Sequence, residues 1–356
     1  MAAYIAYIIL VFFEKLIIDT GKSTKRKVIF LTLTCLELII LTGLRGYRVG
    51  ADTGAYLEHL EKLKGIKLSE VFNFKRIKPQ FETGYEIFVR FCALFGCNKT
   101  VFLFIVSTLI YVPFFIFLKD VPYPELGILC YFAIGAFSYS LGIFRQMIAV
   151  SLCLLSVKYI LNKKVLKFLI IWALAFLFHQ TAALWIVTYF AFWAIKDKKK
   201  FVYIAIIISI VLLPLGRVMV SFITKILPSY SHYIGSEKDV TGGTYLRYVL
   251  FLIILFIGWV CKYFDEIDTP LEQFAVFSFC VGIIVQSISY SFGLMGRMVI
   301  YYSISLSVII PHFIQKCFEG KERFVVALLM FGVLFILTFL NFNGNTYVCP
   351  FKFFWE

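Results

Sequence analysis

"TVFLFIVSTLIYVPFFIFL", residues 100–118, contains no charged side chain. At 1.5 Å per helical residue, about 20 apolar residues cover the ~30 Å hydrocarbon core of a bilayer. The run is continuous rather than alternating, so it reads as a spanning helix and not as a barrel strand. Similar runs recur at 3–18, 28–44, 125–141, 143–161, 166–178, 181–195, 201–215, 246–263, 272–292, 297–314 and 324–342. The expected fold is therefore all-α. It is a polytopic integral membrane protein with about 12 transmembrane helices in a single domain over residues 1–356.

Composition agrees. Hydrophobic residues make up 61% of the 356 and charged ones 16%, a balance that a water-soluble chain of this length could not bury. Residues 3–18 carry their lysines after the apolar stretch and no small-residue cleavage site, so they read as a retained helix rather than a signal peptide. The nine cysteines are scattered and mostly inside apolar runs, without a CxxC pair, and suit small buried hydrophobes. No metal-ligand spacing links the histidines, and no cofactor is expected. In this setting the net charge of +14 suggests anionic lipid headgroups or an anionic substrate rather than nucleic acid.

Parity of the spans orients the chain. The short basic loops 21–27, 162–164, 196–200 and 315–323 fall on one side, taken as cytoplasmic, provided that the short apolar patch 84–97 does not cross. That patch is expected to be re-entrant or interfacial. Both termini and two long loops, 45–83 and 216–245, then lie outside the cell. Tyr230, Tyr233 and Tyr245 make the second loop a candidate sugar-stacking lid, although interfacial tyrosines are common in their own right.

The polar residues are unevenly placed. In "LRGYRVGADTGAYLEH" (44–59), Arg45 and Arg48 leave the second span, Gly46 and Gly50 permit tight turning, and Asp52 and Tyr56 follow. Arg145 opens a helix in "FSYSLGIFRQMIAVS" beside Gln146, and either snorkels to lipid phosphate or binds an anion inside the bundle. His179 sits in a tight outer turn, "LAFLFHQTAALW", as a hydrogen-bonded turn residue or as a base working near neutral pH. Arg297 opens a further helix one turn before Tyr301. Four guanidiniums on one membrane side repel one another unless an anion bridges them, and a planar fork suits phosphate oxygens. Arg45, Arg48, Arg145 and Arg297 are thus candidate diphosphate ligands. His179 and Asp52 are candidate catalytic groups, with Gly50, Tyr56, Gln146 and Tyr301 positioning substrate. Glu37, inside the second span, is expected to be functional or paired with an inward arginine. Glu86 and Arg90 are read as a structural i, i+4 pair, and His59, His232 and His312 as surface or interfacial residues.

These stretches together resemble the EpsG-like family of bacterial polysaccharide polymerases. "LRGYRVGADTGAY" is similar to its opening motif, with Ala51 where the family often has Thr. "FRQMIAVSLCLLSVKYI", "FHQTAAL" and "GRMVIYY" resemble later motifs, in the same order. The resemblance implies a Wzy-type enzyme of the bacterial cytoplasmic membrane, with its active site on the extracytoplasmic side. Such an enzyme moves a growing glycan from undecaprenyl diphosphate to a sugar hydroxyl of the next undecaprenyl-diphosphate-linked repeat unit. Other partners would be membrane lipid and the pathway's flippase and chain-length regulator. A flippase of the same glycans would instead show mid-membrane charges and broken helices. A ligase-like glycosyltransferase would share the donor but not the acceptor.

Overall fold

The computed structural model describes residues 1–18, 20–21, 23–73, 81–226, 245–291 and 293–356. Among them the regular structure is helical, with one isolated bridge, Arg45 to Phe353. The first helices are α1 (Ala2–Ile17), α2 (Thr24–Gly43), α3 (Thr53–Lys62), α4 (Leu68–Val71), α5 (Thr83–Leu94) and α6 (Lys99–Phe117). Then come α7 (Pro124–Ala133), α8 (Ala136–Gly142), α9 (Phe144–Leu161), α10 (Val165–Phe178), α11 (Trp185–Ala194) and α12 (Lys198–Ile226). The chain continues through α13 (Tyr245–Val260), α14 (Pro270–Ser289), α15 (Ile300–Ser303), α16 (Leu306–Cys317) and α17 (Gly320–Phe342). It divides into two compact units, Met1–Ile186 with Leu328–Glu356, and Val187–Ala327.

Helix starts follow local chemistry. Ser23 accepts from the Arg26 N–H at 3.2 Å and Asn98 from the Val101 N–H at 2.9 Å, satisfying donors that a first turn leaves open. Thr269 and Glu272 form a reciprocal capping box at the start of α14. Large apolar side chains remain uncovered along the helices, among them Leu16 at 83%, Phe324 at 71% and Leu329 at 65% exposure. Water would not tolerate that surface, and lipid would. The chain is an all-helical membrane protein.

The span count differs from the expectation. Among the described residues, five helices are long and apolar enough to cross, or seven if each bent pair counts as one span, by length and composition alone. The shortfall from about twelve has two causes. Helices α1, α10, α11 and α13 are short, at 16, 14, 10 and 16 residues. Helix α2 begins with Lys25, Arg26 and Lys27 and carries Glu37. The loop expected at 216–245 also starts later, because α12 continues to Ile226. Residues 227–244, with Tyr230, His232 and Tyr233, lie outside the described residues, and Tyr245 opens α13 in an exposed position. The charged group acting on Glu37 is Glu14 of α1 rather than an arginine.

In the first unit, α2 packs on α6, α6 on α9, and α9 on α10, while α5 lies against α3, α4 and α10. A run expected as one helix, 125–141, bends by 64° between α7 and α8. Gly135 at the break has φ +82°. Breaking a helix inside a membrane frees carbonyls that lipid cannot satisfy. Asn341 of α17 reaches them, its Nδ2 donating to Ala133 O at 2.6 Å and lying 3.5 Å from Phe132 O. Replacing Asn341 with leucine removes that donor. We expect Asn341→Leu to lower stability by about 1 kcal/mol in reversible detergent unfolding, and Asn341→Gln to lose less.

Candidate active site

The segment 44–56 first builds backbone. Gly50 has φ +106°, and a Cβ there would sit 1.9 Å from the Leu141 carbonyl oxygen. Only glycine lets the loop rest on the joint between α8 and α9. Thr53 Oγ1 is 2.8 Å from the same carbonyl and 2.9 Å from Val49 O, sharing its one proton between them. Arg45 is 1% exposed. Its guanidinium donates to Thr42 O, lies 3.4 Å from Leu141 O, and stands over the Phe144 ring at 5.2 Å. The C-terminal segment straps this loop from the other side. Gly46 N donates to Lys352 O and Gly50 N to Tyr347 O, both at 2.7 Å, and Phe354 N donates to Leu44 O at 3.0 Å. Arg48 and Asp52 are left exposed on the turn, with no side-chain partner among the described residues.

Chemistry gathers one helical turn further on. Tyr56 of α3 stacks on Phe144 at 4.7 Å, and its hydroxyl is 3.4 Å from Arg145 Nε. Arg145, in the first turn of α9, ion-pairs through Nη1 with Glu82 Oε2 and lies 4.8 Å from the Phe81 ring centroid. The other oxygen of Glu82, Oε1, is 2.6 Å from His179 Nδ1. One carboxylate bridges an arginine and a histidine. Side-chain exposures are 26% for Arg145, 12% for Glu82 and 15% for His179. The groups are mostly desolvated but can be reached. Asp52, one turn before Tyr56, acts electrostatically on the Tyr56 hydroxyl.

Three helix ends must meet for this arrangement. Glu82 precedes α5, and the next turn passes so close to α10 that a Cβ on Gly84 would lie 2.8 Å from Leu177 O. His179 ends α10, its N–H bonded to Ala175 O at 3.0 Å. The short 3-10 turn Gln180–Leu184 that follows is pinned by Trp172, whose Nε1 donates to Ala182 O at 2.9 Å. His179 Nε2 has no hydrogen-bond partner among the described residues.

Electrostatics explain why this set holds together. Burial works against ionising Glu82, but the His179 hydrogen bond and charge, with Arg145, outweigh it and hold the carboxyl down from 4.5 to about 2. The Tyr56 hydroxyl is pushed up by burial, so it stays protonated despite Arg145.

A second set lies four residues along α5. His59 Nε2 is 2.8 Å from Glu86 Oε2, and Arg90 Nε is 3.0 Å from Glu86 Oε1. Arg90 Nη1 also reaches the carbonyls of Glu70, Val71 and Asn73 at 3.1–3.3 Å. The Glu86–Arg90 pair forms as its spacing implies. His59 is not a surface residue, because at 4% exposure it is drawn in by Glu86. His312, at 5%, is likewise buried and bonded to Val308 O at 2.8 Å.

The first unit therefore brings together Arg45, Gly50, Tyr56 and Arg145 with His179, and it places Arg48 and Asp52 on the adjoining turn. Gln146 is buried on α9 beside Arg145. Arg297 is exposed in the 3-10 turn Gly293–Arg297, and Tyr301 is buried in α15, both within the second unit. Sequence reasoning missed Glu82 and Phe81. The available signal was a carboxylate directly ahead of Thr83-Gly84, where a helix begins.

The depressed Glu82 carboxyl has a definite sign for stability. It contributes above the unfolded value of 4.5, and that contribution is lost as pH falls through the folded value of about 2. In detergent, acidification across that window should destabilise the wild type more steeply than Glu82→Gln. Parallel acid limbs would sink the assignment.

A model of the EpsG family matches residues 28–353. No curated protein and no solved structure matches.

Proposed function

The chain belongs to the EpsG family, a Wzy-like polysaccharide polymerase family, and from that premise we propose how it works. It joins glycan repeat units on the outer face of the bacterial cytoplasmic membrane, taking the growing chain from undecaprenyl diphosphate. The observation that carries this reading is the Arg145–Glu82–His179 cluster beside the exposed Arg48 and Asp52. It combines a candidate anion ligand with a candidate base within the first unit.

A hydroxyl of the incoming lipid-linked unit is a poor nucleophile until its proton is taken. His179 Nε2 accepts that proton while Nδ1–H stays on Glu82. The hydroxyl oxygen bonds to the donor's anomeric carbon. The bond from that carbon to the diphosphate oxygen breaks, and its electron pair leaves with the diphosphate. Arg145, with Arg48 on the neighbouring turn, offsets the charge that develops there. The imidazolium is stabilised by Glu82 until its proton returns to solvent. Asp52 is the second candidate base, or orients the acceptor. Arg45, turned onto backbone carbonyls, supports the loop. Arg297, as a candidate diphosphate ligand, and Tyr301, as a candidate positioning residue, belong to the second unit.

A flippase would also use broken helices. Here the carbonyls freed near α8 are already paired by Asn341, Thr53 and Arg45, which favours a fixed scaffold over a moving gate.

Arg145→Ala and His179→Ala, produced at normal membrane levels, should collapse the surface glycan ladder to single repeats on a gel. Unchanged ladders would reject both roles, and the absence of even single repeats outside would indicate a flippase. Transfer by the purified protein should also survive EDTA, since the proposed charge stabilisation uses arginine. Activity that is abolished by chelation and restored by a divalent cation would overturn that part.

A further inference from the structure

Glu82 is shared. Its Oε2 neutralises Arg145 and its Oε1 holds His179 Nδ1 at 2.6 Å. An anion that docks on Arg145 through Nη1 must therefore compete with a carboxylate already in place. Arg145 keeps 26% of its side-chain surface open, so an anion can reach it. Tyr56 holds Nε from the other side and keeps the fork oriented while its carboxylate partner changes. Glu82 stands at the N-cap of α5 and makes no side-chain cap bond.

We propose that Glu82 is a positioning residue that couples donor binding to base strength by competition. At rest it is divided between Arg145 and His179. A lipid-linked diphosphate takes Arg145 from it, and the negative charges on one guanidinium repel the carboxylate toward His179. The base then has an undivided counter-charge only when donor is bound. This rests on the functional reading above. No covalent step is added: the acceptor's hydroxyl proton passes to His179 Nε2, and Glu82 remains a carboxylate throughout.

The two ends of the coupling predict opposite signs for one substitution. Glu82→Gln keeps the size and hydrogen-bonding capacity but removes the charge. Competition for Arg145 disappears, so farnesyl diphosphate should bind the full-length detergent-solubilised protein about tenfold tighter, as when a competent state populated about a tenth of the time becomes the resting one. Transfer at saturating donor should fall by roughly 10²–10⁴-fold. The acid limb of the pH–rate profile should move to lower pH, because the imidazolium has lost its counter-charge. Glu82→Asp, with charge retained on a shorter arm, should recover part of the rate without the tighter binding. A carboxylate that served packing alone would weaken binding and rate together and leave the limb in place. Equal or weaker diphosphate binding by Glu82→Gln, or full turnover, overturns the proposal. If the wild type binds no prenyl diphosphate at all, the functional reading fails first and this one falls with it.

Discussion

The structure of the first unit depends on one carboxylate having to satisfy two partners in a poorly hydrated place. A lone arginine or glutamate at 26% or 12% exposure would carry a desolvation cost that only a close opposite charge offsets. Glu82 meets that requirement for Arg145 and has a second oxygen left for His179. The constraint reaches into the backbone. The start of α5, the start of α9 and the end of α10 must converge to within hydrogen-bond distance. Gly84 is the point where a side chain would push two of them apart.

The loop that precedes this cluster obeys a different constraint. Carbonyl groups at a helix break near or within a bilayer must find donors in the protein itself. Leu141 O finds Thr53 and Arg45, and Ala133 O finds Asn341. Much of the polarity of 44–56 is thus committed to holding backbone. What remains uncommitted is Arg48 and Asp52 on the exposed side of the turn. A motif rich in arginine, threonine and glycine can look like a ligand-binding segment throughout, yet only two of its charged groups face solvent.

This division explains what could and could not be read in advance. Continuous apolar runs announce helices because their length is set by bilayer thickness, and α6, α9, α14 and α17 stand close to where hydropathy places them. The bends within 125–141 and 297–314 were invisible, since small residues at a break look the same as small residues at a helix contact. Arg145, His179 and Tyr56 could be singled out because a charged or polar group beside a span needs a reason. Glu82 could not. It lies in a polar loop where glutamate needs no explanation, and its partners are 63 and 97 residues away in sequence. His59 misled for the same reason, because a histidine on a short polar helix gives no sign of the glutamate that buries it.

Helix α5 carries both kinds of site within one turn, which separates scaffold from chemistry more sharply than composition does. Glu86 binds His59 and Arg90, and the side chains of this set are 0%, 5% and 0% exposed. Arg90 Nη1 also reaches the carbonyls of Glu70, Val71 and Asn73. Every charge there is matched and closed off, so the set can only tie α3, α4 and α5 together. Glu82 binds His179 and Arg145 with the same residue types, but each keeps part of its surface open, and His179 Nε2 is uncommitted among the described residues. A closed set resists exchange, because opening it strands buried charge. An open set can trade one anion on the arginine for another without stranding a buried charge. The same three residue types thus brace the fold at one turn of α5 and stay partly open at the next, and what differs is the access each turn allows.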